Sequence, residues 1–259
     1  MNLQLENKTA LVTGSTKGIG FAIAQWLAAE GASVIVNGRT EKSALAAAEK
    51  IGARAQGVAA DVSTTAGCAA LISQVPAVDI LINNAGIFEP KPFAEIPDAD
   101  WDRFYQVNVM SGVRLTRAYL PGMLKRNWGR VIFISSESGL QIPEEMIHYG
   151  MTKAAELALV NGLAQLTKGT AVTVNGVLPG PTASEGVTEF VGTLAAGAKQ
   201  TAAQFEKEFF RSVRPTSLLQ RFAHVDEVAS MVAYLCSPLA SATNGAAMRV
   251  DGGVVRGTV

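Results

Sequence analysis

Short apolar runs alternate along the chain with longer stretches rich in alanine and leucine. The short runs are apolar throughout, a pattern typical of strands that are covered on both faces. They predict strands at Thr9–Thr13, Ala32–Asn37, Val58–Val62, Ile80–Asn83, Val131–Ser135, Ala171–Val177 and Ala247–Val250. The first two long stretches predict helices over Ile19–Glu30 and Glu41–Ile51.

This alternation favours right-handed βαβ units. We therefore expect an α/β fold, a doubly wound parallel sheet of about seven strands with helices on both faces. No break in composition marks a linker and no internal repeat is visible, so the sequence predicts a single domain over residues 1–259.

Charge and composition narrow the range of partners. Lys and Arg total 22, as do Asp and Glu, so the formal net charge is zero. A balanced charge does not recruit nucleic acid or an anionic membrane, and we expect a small-molecule partner. No apolar run reaches about 18 residues, the length of a membrane-spanning helix. Two cysteines without metal-ligand spacing predict no metal and fit a reducing cytoplasm.

A glycine-rich turn follows the first predicted strand, with the sequence TGSTKGIG at 13–20. Gly14 permits a tight turn, Gly18 allows close approach to a pyrophosphate, and Gly20 lets helix and strand pack closely. The helix start offers free N–H groups to phosphate. The alternative is a turn that only joins a strand to a helix. The candidate cofactor-binding residues here are Gly14, Ser15, Thr16, Lys17, Gly18, Ile19 and Gly20.

Tyr149 and Lys153 are four residues apart in a helix-like run, which places both side chains on one helix face. An ammonium near a phenol favours the phenolate, so we expect Lys153 to lower the pKa of Tyr149 and make it a useful acid or base. Ser136 follows the predicted strand VIFIS, and its hydroxyl could hydrogen-bond a reacting oxygen. Solvated side chains and ordinary turn chemistry are the alternatives for these residues.

Taken together, these motifs make the sequence resemble the short-chain dehydrogenase/reductase family, in its short single-domain branch with a Rossmann-type sheet. The resemblance covers almost the whole chain. It includes the glycine turn, Asp61-Val62, Asn83-Asn84-Ala85-Gly86, Asn108, Ser136, Tyr149, Lys153, Asn175, Pro179-Gly180-Pro181-Thr182 and Val250-Asp251-Gly252-Gly253.

The resemblance implies a catalytic tetrad of Asn108, Ser136, Tyr149 and Lys153. Tyr149 would be the general acid in reduction and the base in oxidation, while Ser136 would hold the substrate oxygen. Lys153 would bind the nicotinamide ribose and tune Tyr149, and Asn108 would fix a water in a proton relay.

Further positions would contact the cofactor, again by resemblance. Asp61 and Val62 would meet the adenine, and Asn84, Ala85 and Gly86 would line the cofactor. After the sixth strand, Thr182 at a helix start would reach the carboxamide. The remaining candidates of that segment are Pro179, Gly180 and Ser184.

The end of the second strand predicts NADP(H) in preference to NAD(H). An NAD enzyme usually places an acid there, about 20 residues after the glycine turn, to bind the ribose hydroxyls. Gly38 occupies that position and Arg39 follows it. A guanidinium can grip a 2′-phosphate with paired hydrogen bonds, and Lys17 could add a point charge. The alternative is that Arg39 and Lys17 are solvated surface charges.

The expected activity is a hydride transfer between NADP(H) and a carbonyl or secondary alcohol substrate. A non-enzymatic sensor that binds a dinucleotide on the same fold is the alternative. The resemblance also implies a homo-oligomer, with a tetramer favoured.

The segment 182–221 is long for a connection and predicts a substrate lid. Thr201 and Gln204 predict a capping box within it. Phe190, Leu194, Phe205 and Phe209 could form its apolar inner face. Four other polar residues are expected to carry no chemistry. Glu144 and Glu145 are expected as a solvated pair, with binding of a cationic substrate as the alternative. His148 is expected in packing or hydrogen bonding, and His224 before a helix.

Overall fold

A computed structural model describes residues 2–185 and 201–257. Its centre is one sheet of seven parallel strands in the order β3-β2-β1-β4-β5-β6-β7. The strands are β1 Thr9–Val12, β2 Ser33–Gly38, β3 Ala55–Ala59, β4 Ile80–Asn83, β5 Gly129–Ile134, β6 Val172–Pro179 and β7 Ala247–Val250. The predicted parallel α/β sheet is confirmed.

The described helices are α1 Gly18–Ala29, α2 Glu41–Ile51, α3 Thr65–Gln74, α4 Asp98–Phe104, α5 Ser111–Lys125, α6 Ile147–Gln165, α7 Ala202–Ser212 and α8 Val225–Cys236. A π-helical turn, Tyr105–Met110, joins α4 directly to α5. None of the described helices combines the length and apolarity needed to cross a membrane.

Two apolar cores lie on opposite faces of the sheet. One contains buried side chains of α1, α2 and α8, and the other contains buried side chains of α3, α5 and α6. The strand order reverses between β1, which continues to β2, and β4, which continues to β5. A crevice opens outside the carboxyl ends of parallel strands at such a reversal, and ligands bind there in open α/β sheets.

The third strand lies earlier than predicted, over Ala55–Ala59 instead of Val58–Val62. Gly57 belongs to the strand and pairs with Val36 of β2. A Cβ on Gly57 would lie 2.5 Å from the carbonyl oxygen of Ala44, so glycine here lets α2 pack on the strand. The other strands agree with their predicted positions to within two residues.

Candidate active site

The glycine turn adopts the conformation that its sequence predicts. Gly14 has φ +60° and Gly18 has φ +62°, in the left-handed region that favours glycine. A Cβ on Gly20 would lie 2.4 Å from Nδ2 of Asn84 and 2.7 Å from the carbonyl oxygen of Gly14. Glycine at position 20 therefore lets the start of α1 pack closely against the turn and the end of β4.

Hydrogen bonds tie the turn to the end of β4. Thr13 Oγ1 accepts from the backbone N–H groups of Asn84 and Ala85, at 2.9 and 3.0 Å. Asn84 Nδ2 donates to the carbonyl oxygens of Thr13 and Gly14, at 2.9 and 3.1 Å. Ser15 Oγ, which is buried, accepts from the backbone N–H of Asn37 at 3.1 Å. The turn is thus pre-formed in the described chain.

The end of β2 has no room for an acidic side chain. A Cβ on Gly38 would lie 2.5 Å from Cγ2 of Thr16 and 3.1 Å from Oγ of Ser43. Arg39 and Lys17 are both exposed, and neither forms an ion pair with another described residue. The start of α2 follows at once, where Thr40 caps the helix by accepting from the backbone N–H of Ser43. Two cations and a helix N-terminus suit a phosphate group.

A cavity of about 630 Å³ opens beside this turn. Its walls include Ser136, Tyr149 and Lys153, which the structure brings together from the end of β5 and from α6. The cavity reaches Ile19, Asn84 and Gly86, and from the β6 side Pro179, Gly180, Thr182 and Ser184. This size and shape are typical of a pocket for small molecules.

Ser136 begins a 3-10 turn and is 5% exposed. Its Oγ accepts from the backbone N–H of Ser138 at 3.1 Å and donates to Oε2 of Glu137 at 2.5 Å. A hydrogen bond with Ser136 also favours the ionised form of Tyr149. The serine hydroxyl therefore faces the phenol and is oriented by a buried carboxylate.

Asn108 lies in the π-helical turn between α4 and α5 and is 2% exposed. Its Oδ1 accepts from the backbone N–H of Ile87 at 2.8 Å, and its Nδ2 donates to Oγ1 of Thr152 at 2.9 Å. A Cβ on Gly86 would lie 3.5 Å from Asn108 Oδ1 and 3.6 Å from Lys153 Nζ. The polar ends of Asn108 and Lys153 thus both lie close to Gly86.

Lys153 is held by two partners inside the protein. Its Nζ donates to the carbonyl oxygen of Ile134 at 2.9 Å and lies 3.1 and 3.2 Å from the carboxylate oxygens of Glu156. The Lys153 and Glu156 side chains are 5% and 2% exposed. Burial raises the pKa of Glu156 to about 7, although Lys153 and Ser135 lower it.

The net pKa of Tyr149 is raised in the described chain, whereas the sequence predicted a lowered pKa. Burial raises that pKa, the Ser136 hydrogen bond lowers it, and the negative charges of Glu137 and Glu156 raise it again. Lys153 Nζ lies 5.8 Å from the ring centroid, and Glu156 neutralises the charge of Lys153. Tyr149 is therefore held as a neutral phenol, the form that can donate a proton.

The candidate cofactor residues after β6 differ in one respect from the prediction. Thr182 does not open a helix but forms an isolated parallel bridge with Ala223, and its hydroxyl donates to the carbonyl oxygen of Gly180 at 2.9 Å. A Cβ on Gly18 would lie 3.3 Å from Cβ of Ser184, so this segment crosses the glycine turn. Asp61 is exposed beyond β3, and Val62 beside it is buried.

The far wall of the cavity combines aromatic side chains with an ion network. Phe205 and Phe209 of α7 line it together with Arg214. Arg214 Nη1 lies 2.9 Å from Oε1 of Glu145, and its Nε lies 3.4 Å from Oε1 of Glu137. Glu145 is therefore ion-paired in the cavity wall, which corrects the prediction of a solvated pair, whereas Glu144 is exposed.

Other predictions for the polar residues are confirmed. His148 is fully buried, 4.0 Å from the Phe104 ring, so its role is packing. His224 caps α8, and Thr201 forms the predicted capping box with Gln204. Phe190 and Leu194 of the predicted apolar face lie outside the described residues.

Three residues of the site were missed from the sequence. A signal existed for Glu156, which follows Tyr149 and Lys153 at the spacing i, i+4, i+7 that marks one helix face. Glu137 adjoins the candidate serine, but nothing local shows that it points inward. Arg214 is far away in the chain and reaches the cavity only through the tertiary fold.

The fold and this group of side chains define a dinucleotide-binding oxidoreductase. Residues 8–194 match the family model described as short chain dehydrogenase, and the chain belongs to the short-chain dehydrogenase/reductase family. The predicted family and the predicted enzymatic nature of the chain are thus confirmed.

Relatives match over nearly the full length. The chain is 49% identical to the uncharacterized oxidoreductase YvaG of Bacillus subtilis, over 99% of each chain. It is 34% identical to the 3-oxoacyl-[acyl-carrier-protein] reductase FabG of Aquifex aeolicus, over 98% of this chain and 100% of that one. The crystal structure of L-sorbose reductase from Gluconobacter frateurii, complexed with NADPH and L-sorbose, superposes with a TM-score of 0.93 at 31% identity, covering 99% and 100% of the two chains.

Proposed function

We propose that the enzyme transfers a hydride between NADP(H) and a small carbonyl or secondary alcohol substrate. The observation that carries the proposal is the meeting of Ser136, Tyr149 and Lys153 on one wall of a cavity that also reaches the glycine turn. A dinucleotide sensor would not need this group of side chains, and no observation favours that alternative.

The chain's own side chains bind the substrate oxygen and transfer the proton. When bound, the reduced nicotinamide supplies the hydride that adds to the carbonyl carbon and reduces it by two electrons. Ser136 Oγ hydrogen-bonds the carbonyl oxygen, and Tyr149 donates its phenolic proton to that oxygen to complete the alcohol. Tyr149 then regains a proton from solvent along Lys153 and Asn108. Oxidation of an alcohol is the reverse, with Tyr149 as the base.

The choice of NADP(H) is supported by the end of β2. Gly38 stands where an NAD enzyme has the acid that binds the ribose hydroxyls, and a side chain there would meet the methyl group of Thr16. Arg39 and Lys17 are exposed cations beside the start of α2, suited to a 2′-phosphate. The neighbouring L-sorbose reductase structure contains NADPH, which agrees with this choice.

The substrate is proposed only as a class. The relatives include a reductase of 3-oxoacyl groups on acyl carrier protein and a reductase of L-sorbose, so hydroxylated ketones and 3-oxoacyl thioesters are the first candidates. The cavity suits both classes of substrate. Phe205 and Phe209 supply apolar contact, while Glu145 and Arg214 supply polar contact.

The experiment is a panel of carbonyl compounds followed by the absorbance of NADPH, repeated with NADH. Each hydroxylated ketone is paired with an unsubstituted ketone of equal length, and oxoacyl thioesters form a third group. We expect NADPH consumption with at least one group and a slower reaction with NADH. Binding of NADPH without consumption across the whole panel would contradict the proposal and favour a sensor.

We further infer a cytoplasmic homo-oligomer, with a tetramer favoured. The two cysteines are free and buried, which suits a reducing compartment. Closed two-fold symmetry is the common arrangement of soluble oligomers. Light scattering at micromolar concentration tests the assembly, and a monomer there would overturn it.

A further inference from the structure

The buried pair of Lys153 and Glu156 is unusual for its position beside a reacting group. Both side chains are removed from water, and the carboxylate approaches the ammonium with both oxygens. Burying two charges costs several kcal/mol per ion, which only close geometry and further hydrogen bonds can offset. Here Ile134 supplies a second acceptor for Lys153, and the Ser135 hydroxyl, which donates to the carbonyl oxygen of Lys153 at 2.9 Å, also lowers the pKa of Glu156.

An ammonium has three N–H donors and no acceptor. In Lys153 one donor points to the carbonyl oxygen of Ile134 and one to the carboxylate of Glu156, which leaves a third for the cofactor or the proton relay. The two fixed contacts define the direction of the third. Glu156 therefore orients Lys153 before any ligand binds.

Glu156 also changes the charge that Tyr149 experiences. The ammonium alone would favour the phenolate, whereas the ionised carboxylate disfavours it. The negative charge of Glu156 contributes to the raised pKa of Tyr149. Lys153 thus acts on the phenol as part of an almost neutral pair.

We propose that Glu156 is a positioning residue of the reaction: its carboxylate fixes the Lys153 ammonium, offsets its charge, and keeps Tyr149 a neutral proton donor. This inference rests on the proposed hydride transfer. Glu156 itself touches no substrate and acts only through Lys153 and Tyr149.

The other charged groups around Lys153 and Glu156 belong to the elements that pack against α6. On the side of β5 the pair meets Ile134 and Ser135, which are not ionised. The 3-10 turn packed on α6 brings Glu137, whose charge is offset by Arg214. Strand β6 carries no ionisable side chain, nor does the π-helical turn except for a tyrosine that is exposed. Helix α4 also packs on α6 and carries Asp98, Asp100, Asp102 and Arg103. The 3-10 turn Glu144–Met146 packs on α6 as well and brings Glu144 and Glu145, and strand β5 carries Arg130.

A first measurement needs no cofactor and no substrate. Infrared difference spectra of the cofactor-free enzyme, recorded as the pH is raised, should show a protonated carboxyl band that disappears near the pKa of about 7. The band should be absent from Glu156→Gln. In Lys153→Met the band should persist to a pH higher by about one unit or more, because the ammonium that favours the carboxylate is gone.

A second measurement follows alcohol oxidation, which needs the phenolate of Tyr149. In Glu156→Gln the acidic limb of the rate against pH should move to lower pH by about one unit, because the charge that disfavours the phenolate is removed. Glu156→Asp, which keeps the charge, should retain the original limb. The control Glu49→Gln, an exposed carboxylate on α2, should match the unmodified enzyme.

The outcomes separate the two proposals. If the unmodified enzyme turned over no carbonyl or alcohol, the proposed function would fail, while the infrared spectra would still decide whether Glu156 and Lys153 are coupled. If the oxidation profiles of Glu156→Gln and the unmodified enzyme coincided, the positioning role would be overturned. Should Glu156→Gln fail to fold, a carboxyl band that titrates at the same pH in Lys153→Met and in the unmodified enzyme would overturn it equally.

Discussion

Gly38 lies so close to Thr16 that a Cβ on Gly38 would come within 2.5 Å of the threonine Cγ2. The end of β2 and the glycine turn are therefore fitted to each other without a side chain between them. An acid at this position would require the Thr16 side chain to move aside, and the groups beside the position that could contact the ribose end of the cofactor are the cations Arg39 and Lys17.

The first prediction concerns Arg39→Ala. We expect NADPH affinity to fall by about tenfold or more, with little change for NADH, because paired hydrogen bonds to a phosphate are lost. Fluorescence titration with both cofactors measures this. Lys50→Ala, an exposed cation in the last turn of α2, is the control and should leave both affinities unchanged. Tighter binding of NADH than NADPH by the unmodified enzyme would contradict the assignment.

The second prediction concerns Tyr149→Phe. Loss of the proton donor should lower kcat by about 100-fold or more, the scale of a lost general acid. NADPH binding should remain, because the ring and its edge contact with Phe88 are kept. Stopped-flow or steady-state assays give kcat, and fluorescence gives the affinity. Near-normal turnover would rule out Tyr149 as the acid.

The third prediction concerns Arg214→Met. It should lower stability by about 3 kcal/mol, because the buried carboxylate of Glu137 loses its partner. It should also lower kcat/KM, since Glu137 is hydrogen-bonded to Ser136. The double variant with Glu137→Gln should recover much of both losses. Urea unfolding and steady-state kinetics measure the effects.

The control for this prediction is Arg211→Met. Arg211 forms an ion pair with Glu208 on the exposed side of α7, which ends just before Arg214, and solvent weakens such pairs. No measurable change in stability is expected. Equal losses in the Arg211 and Arg214 variants would show that the buried network has no special role.

The sequence predicted those features of the site that local chain order determines. The glycine turn, the strand ends carrying Asn84 and Ser136, and the shared face of Tyr149 and Lys153 all follow from spacing. The ion network of Arg214 did not, because two segments distant in sequence meet only in the folded chain. Strand β3 was placed too late because the apolar run begins at Val58, whereas the strand itself includes Ala55, Gln56 and Gly57, of which Gly57 allows close packing of α2.

The fourth prediction is a pH dependence of stability. The pKa of Glu156 is about 7 in the folded chain against an ordinary 4.5. Between these values the folded state holds a proton that the unfolded state releases, so this contribution is present at low pH and is lost as the pH rises through about 7. The difference in melting temperature between the unmodified enzyme and Glu156→Gln should change over that range. A constant difference would contradict the raised pKa.

The fifth prediction concerns the segment 182–221, which we propose as a substrate lid within a single domain. Its described helix α7 contributes Phe205 and Phe209 to the cavity. Hydrogen exchange in α7 should slow when NADPH and a carbonyl compound are bound together, because closure excludes water. Equal exchange with and without ligands would count against a lid.

The π-helical turn at Tyr105–Met110 sets the direction of the Asn108 side chain, so the number of residues in this turn matters for the site. A π turn accommodates one residue more than an α-helix of the same height. Deleting that residue would let α4 and α5 run on as one regular helix and would rotate Asn108 by about 100° about the axis. Its carboxamide would then lose its hydrogen bonds with Ile87 and Thr152. A one-residue change in length would thus separate Asn108 from both residues, and no substitution in α5 could restore these contacts.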